Sequence, residues 1–197
     1  MIGLYLNPPH NALVLSIDEK PSIQAIERTL DYVHTRSGKI VRAMKSTYKR
    51  HGTLTLFAAL QVATGQIHGK MTATKKRVDF QAFLDEVIAE QPTGREIRII
   101  LDNLSTHKGN TDWLATHPNV TLHFTPTSAS WLNQIERWFG ILQRKALRGA
   151  NFDSINKLSQ AIKDFTAAYN KNASPFVWRK REVKGAQLRN AMINLCN

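Results

Sequence analysis

The sequence predicts an α/β fold, built on a mixed five-stranded sheet with flanking helices. Five short segments are rich in Val, Ile, Leu and Thr, as buried strands are. The first three follow one another with no helix predicted between them and can form an antiparallel meander. Helical segments separate the later strands, and strand–helix–strand crossovers place the fourth and fifth strands parallel.

Size and composition are those of a single globular domain. The chain has 197 residues, of which 42% are hydrophobic and 21% are charged, which suits one sizeable core. It has no apolar run long enough to span a bilayer and no secretory signal pattern. A single cysteine, Cys196, excludes a disulfide framework and a cysteine-based zinc cluster. A reducing cytoplasm is the expected location.

The net charge of +12 indicates a polyanionic partner. Lys and Arg number 27 against 15 Asp and Glu, and the excess is spread along the whole chain. A positive field of this kind favours nucleic acid as the partner. Charge alone leaves one alternative open, a generically basic protein such as one that associates with ribosomes.

The first predicted strand ends in two acids. Residues 1–11 predict an irregular lead-in, and residues 12–19 form a buried strand that ends at Asp18 and Glu19. Successive side chains of a strand face opposite ways, so Asp18 shares a face with Ser16 while Glu19 lies on the other face. We therefore expect only one of the two acids to point into a common site.

Residues 20–51 are poorly periodic and predict a long irregular connection with a turn at Ser37 and Gly38. Long connections in compact domains are usually functional or disordered. A surface that lies along phosphate backbone and a solvated loop fit this segment equally well. Its basic residues include Arg28, Arg36, Lys39, Arg42, Lys45, Lys49 and Arg50.

After residue 51, alternation of apolar residues predicts strands and helical periodicity predicts helices. A Pro-Thr-Gly sequence stops the first of the predicted helices. The fourth strand, like the first, ends in an acid, Asp102. In chain order the elements are strands over 52–62 and 67–71, a helix over 78–88, a strand over 96–103, a short helix at Trp113 and Leu114, and a strand over 120–124.

A turn at Pro126 leads into a long helix with Ser128 or Ser130 as its N-cap. Helical spacing makes one apolar face of this helix. That face consists of Trp131, Ile135, Trp138 and Leu142. We expect both tryptophans to lie in the core, and stacking on nucleic-acid bases is the alternative.

The C-terminal part supports the fold more than the chemistry. A further amphipathic helix over 152–169 is expected to pack on the sheet or on the long helix. Pro175, Phe176 and Trp178 predict a docking segment. Residues 179–197 form a basic tail that contacts phosphate or is solvated, with a short helix over 186–195.

Three acids lie where a shared site can form. Asp18 and Asp102 end two strands, and Glu136 lies on the border of the apolar face of the long helix. If those strands are neighbours, both aspartates emerge at one edge of the sheet. Converging carboxylates repel one another unless a cation lies between them, and Mg²⁺ prefers such oxygen ligands. Two such ions suit phosphodiester displacement. For Glu136 alone, an ordinary solvated role is the alternative.

Five segments carry a more specific signal. They are SIDEK at 16–20, RHGT at 50–53, LDNLSTHK at 101–108, PTSASWLNQIE at 126–136, and Tyr169-Asn170 with PFVW at 175–178. In this order, over residues 12–178, the chain resembles the catalytic domain of a DDE transposase. The resemblance is to bacterial insertion-sequence enzymes of the mariner superfamily.

The resemblance implies an RNase H-like fold and an Asp-Asp-Glu triad. Asp18, Asp102 and Glu136 are the triad positions, and such a triad holds Mg²⁺ or Mn²⁺, with two ions in the site. The implied reaction hydrolyses phosphodiesters at element ends and joins the freed 3′-hydroxyls to target DNA. The implied partners are double-stranded DNA, as transposon ends and target, and a second copy of the chain in an active homodimer.

The resemblance also raises an alternative function. Relatives carry N-terminal helix-turn-helix domains that read terminal inverted repeats, and we expect such domains to be absent from this chain. It is then a fragment, a disrupted copy or one part of a split enzyme, acting in the bacterial cytoplasm near the nucleoid. The competing hypothesis is a non-catalytic DNA-binding or oligomerisation module that modulates an intact transposase.

Polar residues near the triad are candidates for lesser roles. Asn103 is expected to order the turn after Asp102, and Asn133 to hold a ligand carboxylate by a hydrogen bond. His107 either approaches the leaving phosphate or bonds to backbone. The basic candidates for DNA contact are Lys108, Arg137, Arg144 and Lys145.

Overall fold

The computed structural model describes residues 2–34, 36–92, 94–104, 107–127 and 129–177. Five strands form one sheet in the order β3-β2-β1-β4-β5. The strands are β1 (Ala12–His34), β2 (Ile40–Gln61), β3 (Ile67–Thr72), β4 (Glu96–Leu101) and β5 (Val120–Phe124). The α-helices are α1 (Ile2–Leu6), α2 (Arg77–Ala89), α3 (Thr111–Ala115), α4 (Ile135–Leu142) and α5 (Ile155–Asn170). A 3₁₀ turn (Ser130–Leu132) precedes α4, and a π-helical turn (Gln143–Leu147) follows it.

The strand directions confirm the predicted mixed sheet. β1 is antiparallel to β2, and β2 is antiparallel to β3. β1 is parallel to β4, and β4 is parallel to β5. Ser16 of β1 lies opposite Ile100 of β4, so Asp18 and Asp102 each come two residues after a matched pair. The register therefore places both aspartates level with each other at one edge of the sheet.

Helices cover both faces of the sheet, because strand alternation gives each face its own apolar set. On one face α2 buries Phe80, Phe83, Leu84 and Val87 against the odd-numbered residues of β1 and β4. On the other face α4 and α5 pack against β1, β2 and β3. Trp138 is completely buried there, as its position on the apolar face predicted.

Residues 20–51 are regular, which corrects the predicted irregular connection. β1 and β2 continue through this stretch as a long antiparallel hairpin with a turn after His34. β3 pairs with β2 only from Thr55 to Leu60. The hairpin segment 26–50, hereafter the arm, therefore extends beyond the sheet. At its base Gly52 has φ of +110° and an added Cβ would lie 2.6 Å from Ile155 Cδ1, so glycine is required there.

Three smaller predictions are also wrong. Residues 1–11 are not all irregular, because Leu4 and Tyr5 of α1 are buried against the sheet. Trp131 is 66% exposed because the helical spacing begins only at α4, after a 3₁₀ turn. Ser130 is the first residue of that turn and not a helix N-cap.

The structure describes only part of the predicted C-terminal region. α5 begins after Ser154, whose hydroxyl caps the helix by accepting from Lys157 N–H. Phe176 packs on the core cluster under α4 and α5. Ser128, Trp178 and the predicted basic tail over 179–197 lie outside the described residues. Within the described ranges, no helix combines the length and apolar character needed to cross a bilayer.

Candidate active site

Asp18 of β1 and Asp102, which directly follows β4, lie together at the edge of the sheet where the pairing of β1 with β4 ends. One ligand atom from each, and one from His107, lie within 4.8 Å of one another. Asp18 is 5% exposed, whereas the Asp102 side chain is 29% exposed. The first strand does not end at Asp18 as predicted, because β1 continues to His34. The pair arises because two parallel neighbouring strands carry aspartates at matched positions on the same face.

Asp18 is held by hydrogen bonds from β1 and from the segment before α4. Its Oδ1 accepts from the backbone N–H of Glu19 at 2.8 Å. Its Oδ2 accepts from Asn133 Nδ2 at 3.2 Å, and the same amide donates to Ile17 O at 2.8 Å. Asn133 is fully buried, so this carboxylate has a fixed orientation.

A second buried contact fixes the start of α4 against β1. The Ser16 hydroxyl donates to Asn133 Oδ1 and accepts from the backbone N–H of Ile135 at 2.9 Å. The N-terminus of α4 therefore packs against β1 at Ser16. Glu136, in the first turn of α4, follows from that placement.

The Glu136 side chain is exposed but faces the two aspartates. Partial burial raises the pKa of Glu136, the Lys20 ammonium and a hydrogen bond with Asp18 lower it, and the charges of Asp102 and Glu19 raise it again, for a net increase. Burial, followed by the charge of Asp102, raises the pKa of Asp18 to about 8. Acidic groups are therefore concentrated at this edge of the sheet.

Among the residues that the structure describes, the His107 side chain does not bond to backbone, which was one of its two predicted roles. Its ring is completely buried and packs on Phe80 at a centroid distance of 4.6 Å. Its Nδ1 lies 2.7 Å from Asp102 Oδ1, so its partner is a carboxylate and not backbone. Burial lowers the pKa of His107, but the hydrogen bond and charge of Glu19, followed by the charge of Asp102, outweigh burial and raise it.

Glu19 is the site neighbour that sequence reasoning placed elsewhere. Alternation does turn it to the α2 face, where its Oε1 lies 4.0 Å from Lys75 Nζ. Its Oε2 lies 3.1 Å from His107 Nε2, and the side chain is only 4% exposed. Glu19 therefore reaches Asp102 through His107, past the end of β4. The sequence signal was a second acid next to Asp18, and strand alternation argued against it.

The remaining predicted residues are more dispersed. Asn103 donates its side-chain amide to Thr125 O, which ties the loop after β4 to the end of β5. Lys108, Arg144 and Lys145 are exposed. Arg144 follows Glu136 by eight residues, which is about 12 Å along a helix. The structure therefore places Arg144 and Lys145 away from the acids.

Arg137 and Trp131 form an exposed rim next to the acidic edge. The Arg137 guanidinium lies 5.4 Å from the ring centre of Phe176. Together with Asn133, Gln134 and Val177, these residues line a shallow groove. Trp131 thus belongs to the surface of the site and not to the core.

Comparisons with known proteins agree with this arrangement. The sequence matches the family described as DDE superfamily endonuclease over residues 14–159. The fold is similar to that of a chain in the crystal structure of the Mos1 strand transfer complex, with a TM-score of 0.57 and 15% identity over 81% of this chain and 48% of that chain. This likeness confirms the predicted RNase H-like fold. The chain spans about half the length of the Mos1 chain.

Two further structures are more weakly similar. One is the intasome of simian T-cell lymphotropic virus with the PP2A regulatory subunit B56 gamma, with a TM-score of 0.46 and 14% identity over 83% of this chain and 59% of that chain. The other is the catalytic core domain of BIV integrase, with a TM-score of 0.48 and 10% identity over 95% of this chain and 99% of that chain. The comparison with curated proteins gives no match.

Proposed function

The chain belongs to the DDE superfamily of endonucleases, and we propose that it is a transposase catalytic domain that cleaves DNA and transfers the cut strand. The observation that supports this most directly is the pair formed by Asp18 of β1 and Asp102 directly after β4, at matched positions of two neighbouring parallel strands. Glu136 completes the proposed triad from the first turn of α4. An insertion-sequence element of the bacterial mariner branch is the proposed source of the DNA ends.

The donor set of the site fits a hard divalent cation. Burial, followed by the charge of Asp102, raises the pKa of Asp18, and a bound cation would favour the ionised form of this carboxyl. Carboxylate oxygens are the ligands that Mg²⁺ and Mn²⁺ accept most readily. Asp18, Asp102 and Glu136 would hold the metal, in a two-ion arrangement. When bound, such ions activate an attacking oxygen and stabilise the leaving oxygen of a phosphodiester.

Hydrogen bonds within the chain orient the proposed ligands in advance. Asn133 holds one oxygen of Asp18, and the backbone N–H of Leu104 donates to Asp102 Oδ1 at 3.0 Å. Ser16 fixes the start of α4 and with it the position of Glu136. Side chains restrained in this way need little rearrangement when they bind an ion or a phosphate.

Double-stranded DNA, as transposon end and as target, is the proposed substrate. The net charge of +12 supplies attraction to phosphate. Arg137 and Lys108 are exposed on elements next to the acids, where a bound backbone can reach them. A homodimer on paired ends, acting in the bacterial cytoplasm at the nucleoid, belongs to the same proposal.

Metal-dependent cleavage of labelled duplex DNA by the purified chain tests the proposal. We expect nicking with Mg²⁺ or Mn²⁺ and none with EDTA. Asp102→Asn and Glu136→Gln keep side-chain size but remove a ligand charge, so each should reduce the cleavage rate by about 10³-fold or more. DNA affinity and thermal unfolding should stay close to those of the wild type.

Glu86→Gln is the matched control for these variants. Glu86 lies on α2 and pairs with Lys70 at 2.8 Å, so its substitution removes the same charge outside the site and should leave cleavage unchanged. Cleavage that survives both Asp102→Asn and Glu136→Gln would contradict the assigned triad. Tight DNA binding with no cleavage under any metal would favour the non-catalytic module instead.

A further inference from the structure

We propose that Glu19 and His107 act as a pair of positioning residues that orient Asp102 for metal binding. This inference rests on the proposed metal site and adds two residues that are not ligands. Lys75, Glu19, His107 and Asp102 form a continuous chain of charged and polar contacts at 4.0, 3.1 and 2.7 Å. These contacts link the α2 face of the sheet to the acidic edge, past the end of β4.

The contacts of Asp102 show what the pair does. Asp102 Oδ1 already accepts from the backbone N–H of Leu104 at 3.0 Å, so it acts as an acceptor towards His107 Nδ1 as well, at 2.7 Å. Both donors take the same oxygen. They fix the rotation of the carboxylate and leave Oδ2 as the oxygen that neither of them uses. A ligand that follows the end of a strand needs such support, since no ladder of backbone hydrogen bonds holds it.

His107 is suited to orient a ligand and not to bind the ion itself. Its ring is 0% exposed and lies against Phe80. Nδ1 faces Asp102 and Nε2 faces Glu19, so both ring nitrogens are engaged by carboxylates. A histidine needs a free nitrogen lone pair to ligate a metal. His107 therefore does not compete for the ion, although it lies close to both aspartates.

Glu19 acts on Asp102 only through this ring. Within the described residues, Glu19 Oε2 and His107 Nε2 have no hydrogen-bond partner apart from this 3.1 Å contact. The partner of one histidine nitrogen sets which nitrogen carries the proton and how the ring is turned. Glu19 thus fixes the ring that presents Nδ1 to Asp102. Its own carboxylate stays on the opposite face of β1 from Asp18.

The test measures the Mn²⁺ dissociation constant of the purified chain without DNA, by electron paramagnetic resonance of free Mn²⁺. Loss of an outer hydrogen-bond partner typically weakens metal binding about 10- to 100-fold, and we expect an effect of about 10-fold for Glu19→Gln. Glu19→Asp keeps the charge but withdraws the oxygen from His107, so it should weaken binding too. If Glu19 acted only through its negative charge, Glu19→Gln would weaken Mn²⁺ binding and Glu19→Asp would not.

A double variant tests whether Glu19 acts through the ring. His107→Asn places an amide close to the position of Nδ1 and removes Nε2. In that background Glu19→Asp, which keeps the negative charge, should cause no further loss of Mn²⁺ affinity, because the contact that it withdraws no longer exists. The control is Glu90→Gln, since Glu90 lies 3.1 Å from His68 in an exposed pair that lacks a ligand aspartate, and its Mn²⁺ affinity should equal that of the wild type.

Several results would overturn the inference. Unchanged Mn²⁺ affinity in Glu19→Gln and Glu19→Asp would do so, even if both variants unfold at lower temperature, because the role would then be structural only. Additive losses in the double variant would also contradict it. If wild-type protein binds no Mn²⁺, the proposed metal site fails and this inference fails with it. If the wild type binds Mn²⁺ and Asp102→Asn abolishes that binding, the metal site is supported. The Glu19 variants then test this inference alone.

Discussion

At the scale of single residues, burial and neighbouring charge act in the same direction on Asp18. Its side chain accepts a hydrogen bond from Asn133, and burial, followed by the charge of Asp102, raises its pKa from the ordinary value of 3.8 to about 8. The folded metal-free protein therefore binds a proton near neutral pH that the unfolded chain releases. Folding and protonation of Asp18 are linked for this reason.

The stability of the metal-free protein should fall between about pH 4 and about pH 8 as the Asp18 proton is lost. A carboxyl with a raised pKa contributes stability that is fully present below its unfolded pKa and lost as pH rises through the folded pKa. Asp18→Asn should flatten part of this slope and make the protein more stable than wild type near pH 8. Urea unfolding in EDTA across this range measures it.

His107 limits how much of the slope disappears. Its pKa is raised too, so it contributes stability that is present below its unfolded pKa and lost as pH rises through its folded pKa. A residual slope in Asp18→Asn is therefore expected. The idea that Asp18 is held protonated would be wrong if the variant and the wild type showed parallel pH profiles.

The sequence could predict the two aspartates but not the link between them and Glu19. Asp18 and Asp102 follow from strand order, because parallel neighbours end at one edge of a sheet. The contact between His107 and Glu19 depends on the course of the loop after β4. No local periodicity in the sequence predicts that course. Trp131 shows the same limit, since its spacing fits a helix that begins only after it.

At the scale of secondary structure, the arm is the element that the sequence pattern concealed. The pairing of β1 with β2 has irregularities between Lys20 and Ile23, between Gln24 and Ile26, and between Arg28 and Leu30. Each one shifts the alternation of side chains, so no single period runs through the segment. Within the sheet, the five strands pack against neighbouring strands or helices, and burial gives those parts the apolar patterns that predicted them.

The arm carries seven Lys and Arg against two Asp and Glu, which makes it a candidate surface for DNA phosphate. Lys49 and Arg50 are exposed on β2, and Arg50 also lies over the Tyr48 ring. Lys49→Ala with Arg50→Ala should weaken duplex binding and reduce the slope of log K against log salt by about 1 to 2. Fluorescence anisotropy of a labelled duplex measures both quantities.

Lys163→Ala with Lys171→Ala is the control for the arm. Both residues are exposed, on α5 and directly after it, so this pair removes the same charge from another surface. Equal losses of affinity in the two double variants would indicate a general effect of net charge. The arm would then have no special part in DNA binding.

At the scale of the whole molecule, the positive charge that attracts DNA is spread over the surface, whereas the acidic groups proposed for cleavage lie together. The chain carries a net charge of +12, yet acidic side chains gather at the edge of the sheet where β4 ends beside Asp18 of β1. A positive surface attracts phosphate over many residues, whereas the carboxylates there repel it locally. Binding should therefore depend on the whole surface, and cleavage on a few residues.

We expect duplex affinity to fall steeply with salt, by about 10³- to 10⁵-fold between about 50 and 200 mM if about 6–10 phosphates are contacted. Glu136→Gln should show the same slope as the wild type, because one local charge changes little of the field. Phosphate contacts carry no sequence information, so an inverted-repeat duplex and a random duplex should bind alike. Selective binding that persists at about 200 mM salt would mean that these residues also read bases, because only contacts with base edges or with a sequence-dependent DNA shape discriminate between sequences.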